Sequence, residues 1–127
     1  MSEPQFLMSE EVLHLHARSL AEQGGSGVTR DAGLLQSALA SARNTFHYGN
    51  GDAFDVAASY VFHLAEAQAF IDGNKRTAVA SALVFLAING FYAQPPTWGL
   101  YSAIIDLAEK KRTKADLAAT FRLGAAR

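Results

Sequence analysis

The sequence predicts an all-α fold, a single-domain bundle of about six helices around a central helix pair. Two neighbouring segments, 53–71 and 74–89, are strongly apolar and Ala-rich, as helices buried in the middle of a bundle must be. The flanking segments carry apolar residues at helical spacing, and glycine or proline steps separate one segment from the next. Taken as one domain over 1–127, the chain is long enough to bury roughly two-thirds of its unfolded surface.

The first helix is expected over 9–23, with Ser9 as N-cap, Glu10 and Glu11 in the first turn and Gly24 as the stop. Val12, Leu13, Leu15, His16 and Leu20 form its buried stripe, with Ser19 at the edge. His14 and His16 lie on different helix faces and make a poor metal pair, so they read as surface or satisfied core histidines. Gly24-Gly25-Ser26-Gly27 follows a helix and lacks the lysine of a P-loop, which makes it a flexible connection. A second helix is expected over 31–43, with Leu34, Leu35, Ala38, Leu39 and Ala42 at helical spacing. Asn44 to Asp52 breaks that pattern with two glycines and exposed aromatics, the marks of a surface loop.

The third helix, 53–71, carries His63, which reads as a satisfied core or groove histidine. Continued helix would place it about 140° around from Gln68. The fourth helix, 74–89, is closed by Gly90. Beyond Pro95-Pro96, Thr97 caps a helix over 98–111, whose cationic end Lys110-Lys111-Arg112 reads as a solvated terminus. A short last helix, 114–122, returns Leu117, Ala118 and Phe121 to the bundle.

Composition excludes several classes of function. Lysine plus arginine (11) nearly balance aspartate plus glutamate (12), which argues against direct nucleic-acid binding or an anionic membrane as main partner. Without cysteine there is neither a disulfide framework nor thiolate chemistry. Met1-Ser2-Glu3-Pro4-Gln5 lacks the features of a signal peptide, and no apolar stretch reaches membrane-span length without a charge or a turn signal. The expectation is a soluble, cytoplasmic protein.

The chemistry concentrates where the two central helices meet, at Gln68-Ala69-Phe70-Ile71-Asp72-Gly73-Asn74-Lys75-Arg76-Thr77. Asp-Gly favours a tight turn through glycine's freedom at positive φ. The N–H groups of Gly73, Asn74, Lys75 and Arg76 then open the next helix, together with its dipole and two cationic side chains. Such an end suits an anion, a phosphate chain best. Cations in a first turn oppose the macrodipole, a conflict that a bound phosphate relieves. Asp72 is placed to hold a magnesium ion against the phosphates, Asn74 to orient the loop or a phosphate, and Phe70 to anchor the turn in the core.

Phe70, Asp72, Asn74, Lys75 and Arg76 stand in register with HxFx[DN]xNKR, so the chain resembles the Fic/Doc (Fido) family and most closely its death-on-curing (Doc) branch. The broader Fic pattern, HxFx[DE]GNGRxxR, has glycine at the position of Lys75 and arginine at that of Val79. The resemblance extends from Phe6-Leu7 through Gly90, including Gly24-Gly25-Ser26-Gly27 and Asp31-Ala32-Gly33-Leu34-Leu35. One position departs from it: the family's histidine falls on Gln68.

The resemblance implies the Fic/Doc fold and transfer of part of ATP, with Mg2+, to a hydroxyl of a target protein. The family histidine is the general base; a glutamine amide cannot accept the proton, and losing a positioned base costs about 10²–10⁴-fold in rate. A lysine at the position of Lys75 takes the space of the β-phosphate, so that the γ-phosphate is transferred; AMP transfer, as in most Fic proteins, is the alternative. The family's flap, which clamps the target by strand pairing, would fall in the 44–52 loop, with Phe46, His47 and Tyr48 as contacts. Doc-branch proteins are toxins of toxin–antitoxin pairs that modify the translation machinery, an elongation factor, and are blocked by a small separate antitoxin. The family's internal inhibitory pattern, [ST]xxxE[GN], is absent from the chain. A second reading remains open: a catalytically inactive module that binds nucleotide or an antitoxin helix, which Gln68 favours.

Overall fold

The computed structural model describes residues 3–25, 29–91, 102, 106, 107 and 113–124. Its helices are α1 (Ser9–Gln23), α2 (Ala32–His47), α3 (Ala53–Ala67), α4 (Asn74–Ile88) and α5 (Lys114–Gly124). Among the described residues there is no strand, only one isolated antiparallel bridge between Thr29 and Phe70. The fold is all-α, as the sequence predicts. The helix expected over 98–111 lies outside the described residues except Ser102, Asp106 and Leu107, all three helical. Among the described residues no helix is long and apolar enough to cross a membrane.

α3 is the axis of the bundle, packing against α2, α4 and α5, while α1 lies along α4. It can do so because Val56, Ala57, Ala58, Ser59, Tyr60, Val61 and Leu64 are all buried, leaving little of its circumference to water. Phe85 and Leu86 of α4, Leu35 and Leu39 of α2, and Leu117 and Phe121 of α5 close the core around it. The N-terminal segment is part of this core. Leu7 is fully buried, and its N–H donates to the Tyr60 hydroxyl at 3.0 Å. Burial pushes the Tyr60 phenol up to about 12, so it stays neutral and available as an acceptor.

Several expected helix ends differ. α2 continues through Asn44 to His47, beyond the boundary at Arg43 that propensity suggested. Its last turn is held by tertiary contacts: the Thr45 hydroxyl lies 2.6 Å from that of Ser59, and Phe46 meets Phe6 edge-on at 6.1 Å. Packing of this kind overrides weak helix propensity. α3 stops at Ala67, because Gln68 turns into the left-handed region (φ 53, ψ 45) and ends the helix before Phe70. At the start of α1 the N-cap is Met8 rather than Ser9, its N–H bonded to the Glu11 carboxylate at 2.8 Å.

Candidate functional site: the turn between α3 and α4

With α3 ended at Gln68, the next residues dive into the core. Ala69 and Phe70 are 2% exposed, while Ile71 is half exposed. The Asn74 side chain braces this reversal from the first position of α4: its Oδ1 accepts from the Phe70 N–H at 3.1 Å and its Nδ2 donates to the Phe70 carbonyl at 2.9 Å. Both ends of the amide are thus committed to the loop backbone. Gly73, at φ 81, is the N-cap of α4 and supplies no side-chain cap. The N–H groups of Gly73, Asn74, Lys75 and Arg76 meet no acceptor among the described residues, and the first turn contains no acidic residue. It does contain Lys75, exposed, and Arg76, half-buried. Among the described residues, this helix N-terminus has no side-chain cap for its orphan donors.

α1 grips the turn from one side. The His16 ring stacks on that of Phe70, with centroids 3.7 Å apart and planes 11° from parallel, and its Nε2 lies 2.7 Å from the Asp72 carbonyl oxygen. Ser19, nearly one turn further along α1, accepts from Arg76 Nε at 2.9 Å, and the same guanidinium reaches the Gly24 carbonyl at 3.3 Å. Arg76 thereby caps the C-terminal end of α1, where a cation is favoured. A guanidinium has five N–H donors, so these two bonds leave others for a ligand.

The connection between α1 and α2 closes over the same turn. A Cβ built on Gly25 would lie 3.2 Å from Asp72 Cβ. The Arg30 and Asp31 N–H groups both donate to the Ala69 carbonyl, at 2.7 and 3.0 Å. Of the glycines expected to form a flexible connection, Gly25 permits a close approach to Asp72 and Gly24 is tied to Arg76 by its carbonyl, while residues 26–28 lie outside the described residues.

The residues singled out in the sequence thus divide into two places. Gln68, Phe70, Asp72, Gly73, Asn74, Lys75 and Arg76 come together at one turn. Phe46, His47 and Tyr48 do not form the expected loop. Phe46 and His47 are helical; Phe46 packs on the core and His47 Nε2 lies 3.1 Å from Glu3. Tyr48, just past the helix, is 83% exposed. Their fixed contacts are with the N-terminal segment, because Phe6 sits against both Phe46 and His47.

His63 also points elsewhere, its Nε2 3.3 Å from Lys114 Nζ. Burial, reinforced by that ammonium, holds its imidazole below the ordinary value. Of the histidines, His16 is the one in contact with the motif turn, and sequence reasoning left it as a core residue. Its place on the buried stripe with Val12 and Leu20 was the available signal.

Comparison with known proteins agrees with this geometry. Residues 6–86 match the Fic/DOC family. The chain is 35% identical over 82 residues to the protein kinase doc of Escherichia phage P1, covering 64% of this chain and 65% of that protein. It is 46% identical over 90 residues to the toxin Doc of Mycolicibacterium smegmatis, covering 68% of this chain and 65% of that protein. The chain thus spans just under two-thirds of the length of each of these relatives. With the matched region reaching from Phe6 across the motif turn to Leu86, the chain belongs to the Fic/DOC family.

Proposed function

We propose that this protein is a Doc-type toxin that transfers the γ-phosphate of ATP to a hydroxyl of a protein target, attenuated in this chain by Gln68. The observation that carries the reading is the uncapped N-terminus of α4. Gly73 offers no side chain there, the first-turn amides have no protein acceptor among the described residues, and Lys75 and Arg76 stand beside them. Developing charge on a transferred phosphoryl group is what such fixed donors stabilise. One relative bears the name protein kinase and the other the name toxin, which favours the phosphate over AMP as the group moved. In the family resemblance, Lys75 is the residue that makes this choice.

Asp72 fits a magnesium ion in the way phosphate-transfer sites commonly hold one. No cluster of three or more acidic or histidine groups exists among the described residues, so the ion would be held by one carboxylate together with the phosphates. When bound, it supplies charge neutralisation between the phosphates. Phe70 and Asn74 fix the turn, and Arg76 bridges it to α1. Gln68, exposed at the end of α3, stands where a base would take the target's proton and can only orient that hydroxyl. The target belongs to the translation machinery and a separate antitoxin chain restrains the toxin; both follow from the family reading. Gln68 also favours a second reading, a module that binds nucleotide or antitoxin without turnover.

Label transfer separates these readings. The chain and its Gln68→His variant are incubated with bacterial lysate and ATP labelled at the α- or the γ-phosphate. Label from γ alone, stronger with His by about 10²–10⁴-fold, is the expected result. Label from α would mean AMP transfer. No label from either protein, with ATP bound to both, would leave the inactive module.

A further inference from the structure

We infer that His16 is a positioning residue that aims the Gly73 N–H at the bound anion. His16 is 3% exposed, and its Nε2 stands 2.7 Å from the Asp72 carbonyl oxygen. A carbonyl can only accept, so Nε2 carries the proton and donates. The Asp72 carbonyl and the Gly73 N–H belong to one peptide unit, which is trans, so the two groups point in opposite directions. Fixing the carbonyl toward α1 therefore fixes the N–H away from α1. No acceptor among the described residues competes for that N–H.

Gly73 needs such a constraint more than another residue would. Without a Cβ its backbone can adopt many conformations, including rotation of the Asp72–Gly73 peptide plane. Two contacts oppose that rotation here: the hydrogen bond itself, and the ring of His16 clamped against Phe70 at 3.7 Å, which stops the imidazole from following the carbonyl. His16 also lies alongside Gly73, since a Cβ there would be in van der Waals contact with His16 Cδ2, at 3.5 Å. A residue on α1, 56 positions away in sequence, thus holds the first donor of the cradle in place.

The inference rests on the phosphate reading for the ligand but not for the geometry, and two measurements on the full chain keep them apart. The first follows the Gly73 amide resonance of ligand-free, 15N-labelled protein; the second measures the affinity for ATP with magnesium by calorimetry. His16→Phe keeps a ring over Phe70 and loses the donor. The expected result is a broadened or split Gly73 resonance and an affinity lower by about tenfold, the scale of one directed hydrogen bond. His16→Gln, whose amide nitrogen reaches the same carbonyl, should restore a single resonance and return affinity to within about threefold of the parent. A urea midpoint shared by the two variants separates this from general destabilisation. Should the Phe variant not fold, His16→Asn, too short to reach the carbonyl, takes its place. A parent-like Gly73 resonance in the donor-lacking variant, or failure of Gln to rescue, overturns the inference. If the parent itself binds no ATP, the phosphate reading fails, and the resonance still decides what His16 does.

Discussion

The two central helices begin in opposite ways, and the contrast separates stability from function. At the start of α3, Asp52 Oδ1 accepts from the N–H groups of Phe54 and Asp55, both at 3.0 Å, while Asp55 returns a bond to the Asp52 N–H at 3.0 Å. Arg122 of α5 closes the arrangement with contacts of 2.9 Å to each Asp52 oxygen. A side-chain cap, a reciprocal capping box and an acidic first-turn residue are all present there, and they bind the N–H groups of Asp52, Phe54 and Asp55. α4 begins with Gly73, no capping side chain, no acidic residue in its first turn, and two cations where the dipole disfavours them. One end is capped by the protein, and the other has no side-chain cap among the described residues. The same chain builds both, so neither arrangement reflects a general shortage of capping residues.

The sharpest way to break this contrast is to give α4 an acidic first turn. Lys75→Glu should move two measurements in opposite directions. Affinity for ATP with magnesium falls by about 2 kcal/mol, roughly thirtyfold, because a charged donor is replaced by a like charge. Unfolding free energy in urea, without ligand, rises by about 0.5 kcal/mol, because a carboxylate replaces an ammonium at the positive end of the helix. Lys75 is exposed, so no packing is lost to obscure either sign. Loss of stability together with affinity would mean that Lys75 holds the turn together rather than serving a ligand.

The converse change removes the cap from α3. Asp52→Ala should lower unfolding free energy by about 1–2 kcal/mol while leaving ATP affinity within about twofold. Most of that loss comes from the cap, since the ion pair with Arg122 is 42% and 46% exposed on its two sides and contributes little. Asp52→Asn divides the two, keeping the acceptor and removing the charge, and should cost only a few tenths of a kcal/mol. Acid titration reads the charge separately. Burial alone would raise the Asp52 carboxyl, but bonds from the Asp55 N–H and from Arg122 outweigh it and hold the group below the ordinary carboxylate value. A depressed carboxylate adds stability above its unfolded value and loses it as pH falls through the folded value. The parent should therefore lose stability below about pH 4 more steeply than the Asn variant.

How much of this was legible in the sequence follows the range of the contacts involved. The central pair of helices and the tight turn between them, with its cluster of motif residues, could be read from local signals: an Ala-rich apolar pattern broken by Asp72-Gly73. The end of α2 could not. Asn44 to His47 carry weak helix formers, and what keeps them helical is Ser59 and Phe6, neither of them adjacent in sequence. The roles of His16 and Ser19 were hidden for the same reason, since their partners lie 56 and 57 residues away. Gly25 carried an ambiguous local signal: glycine marks flexibility and close approach equally well, and only the approach of Asp72 to Gly25 distinguishes them.

The end of α3 supplies the smallest and most diagnostic effect. Gln68 occupies the left-handed region at φ 53, where a residue with a Cβ costs about 1–2 kcal/mol. Glycine avoids that cost and in return loses about 0.5–1 kcal/mol of extra freedom on folding. The difference favours glycine, so Gln68→Gly should raise unfolding free energy by about 0.5–1 kcal/mol. Gln68→His, in contrast, leaves the backbone cost in place and is expected to restore activity. Gln68 thus holds a backbone conformation that glycine would adopt at lower cost. If the glycine variant is less stable than the parent, the Gln68 side chain is holding the turn, and α3 ends as it does for structural reasons alone.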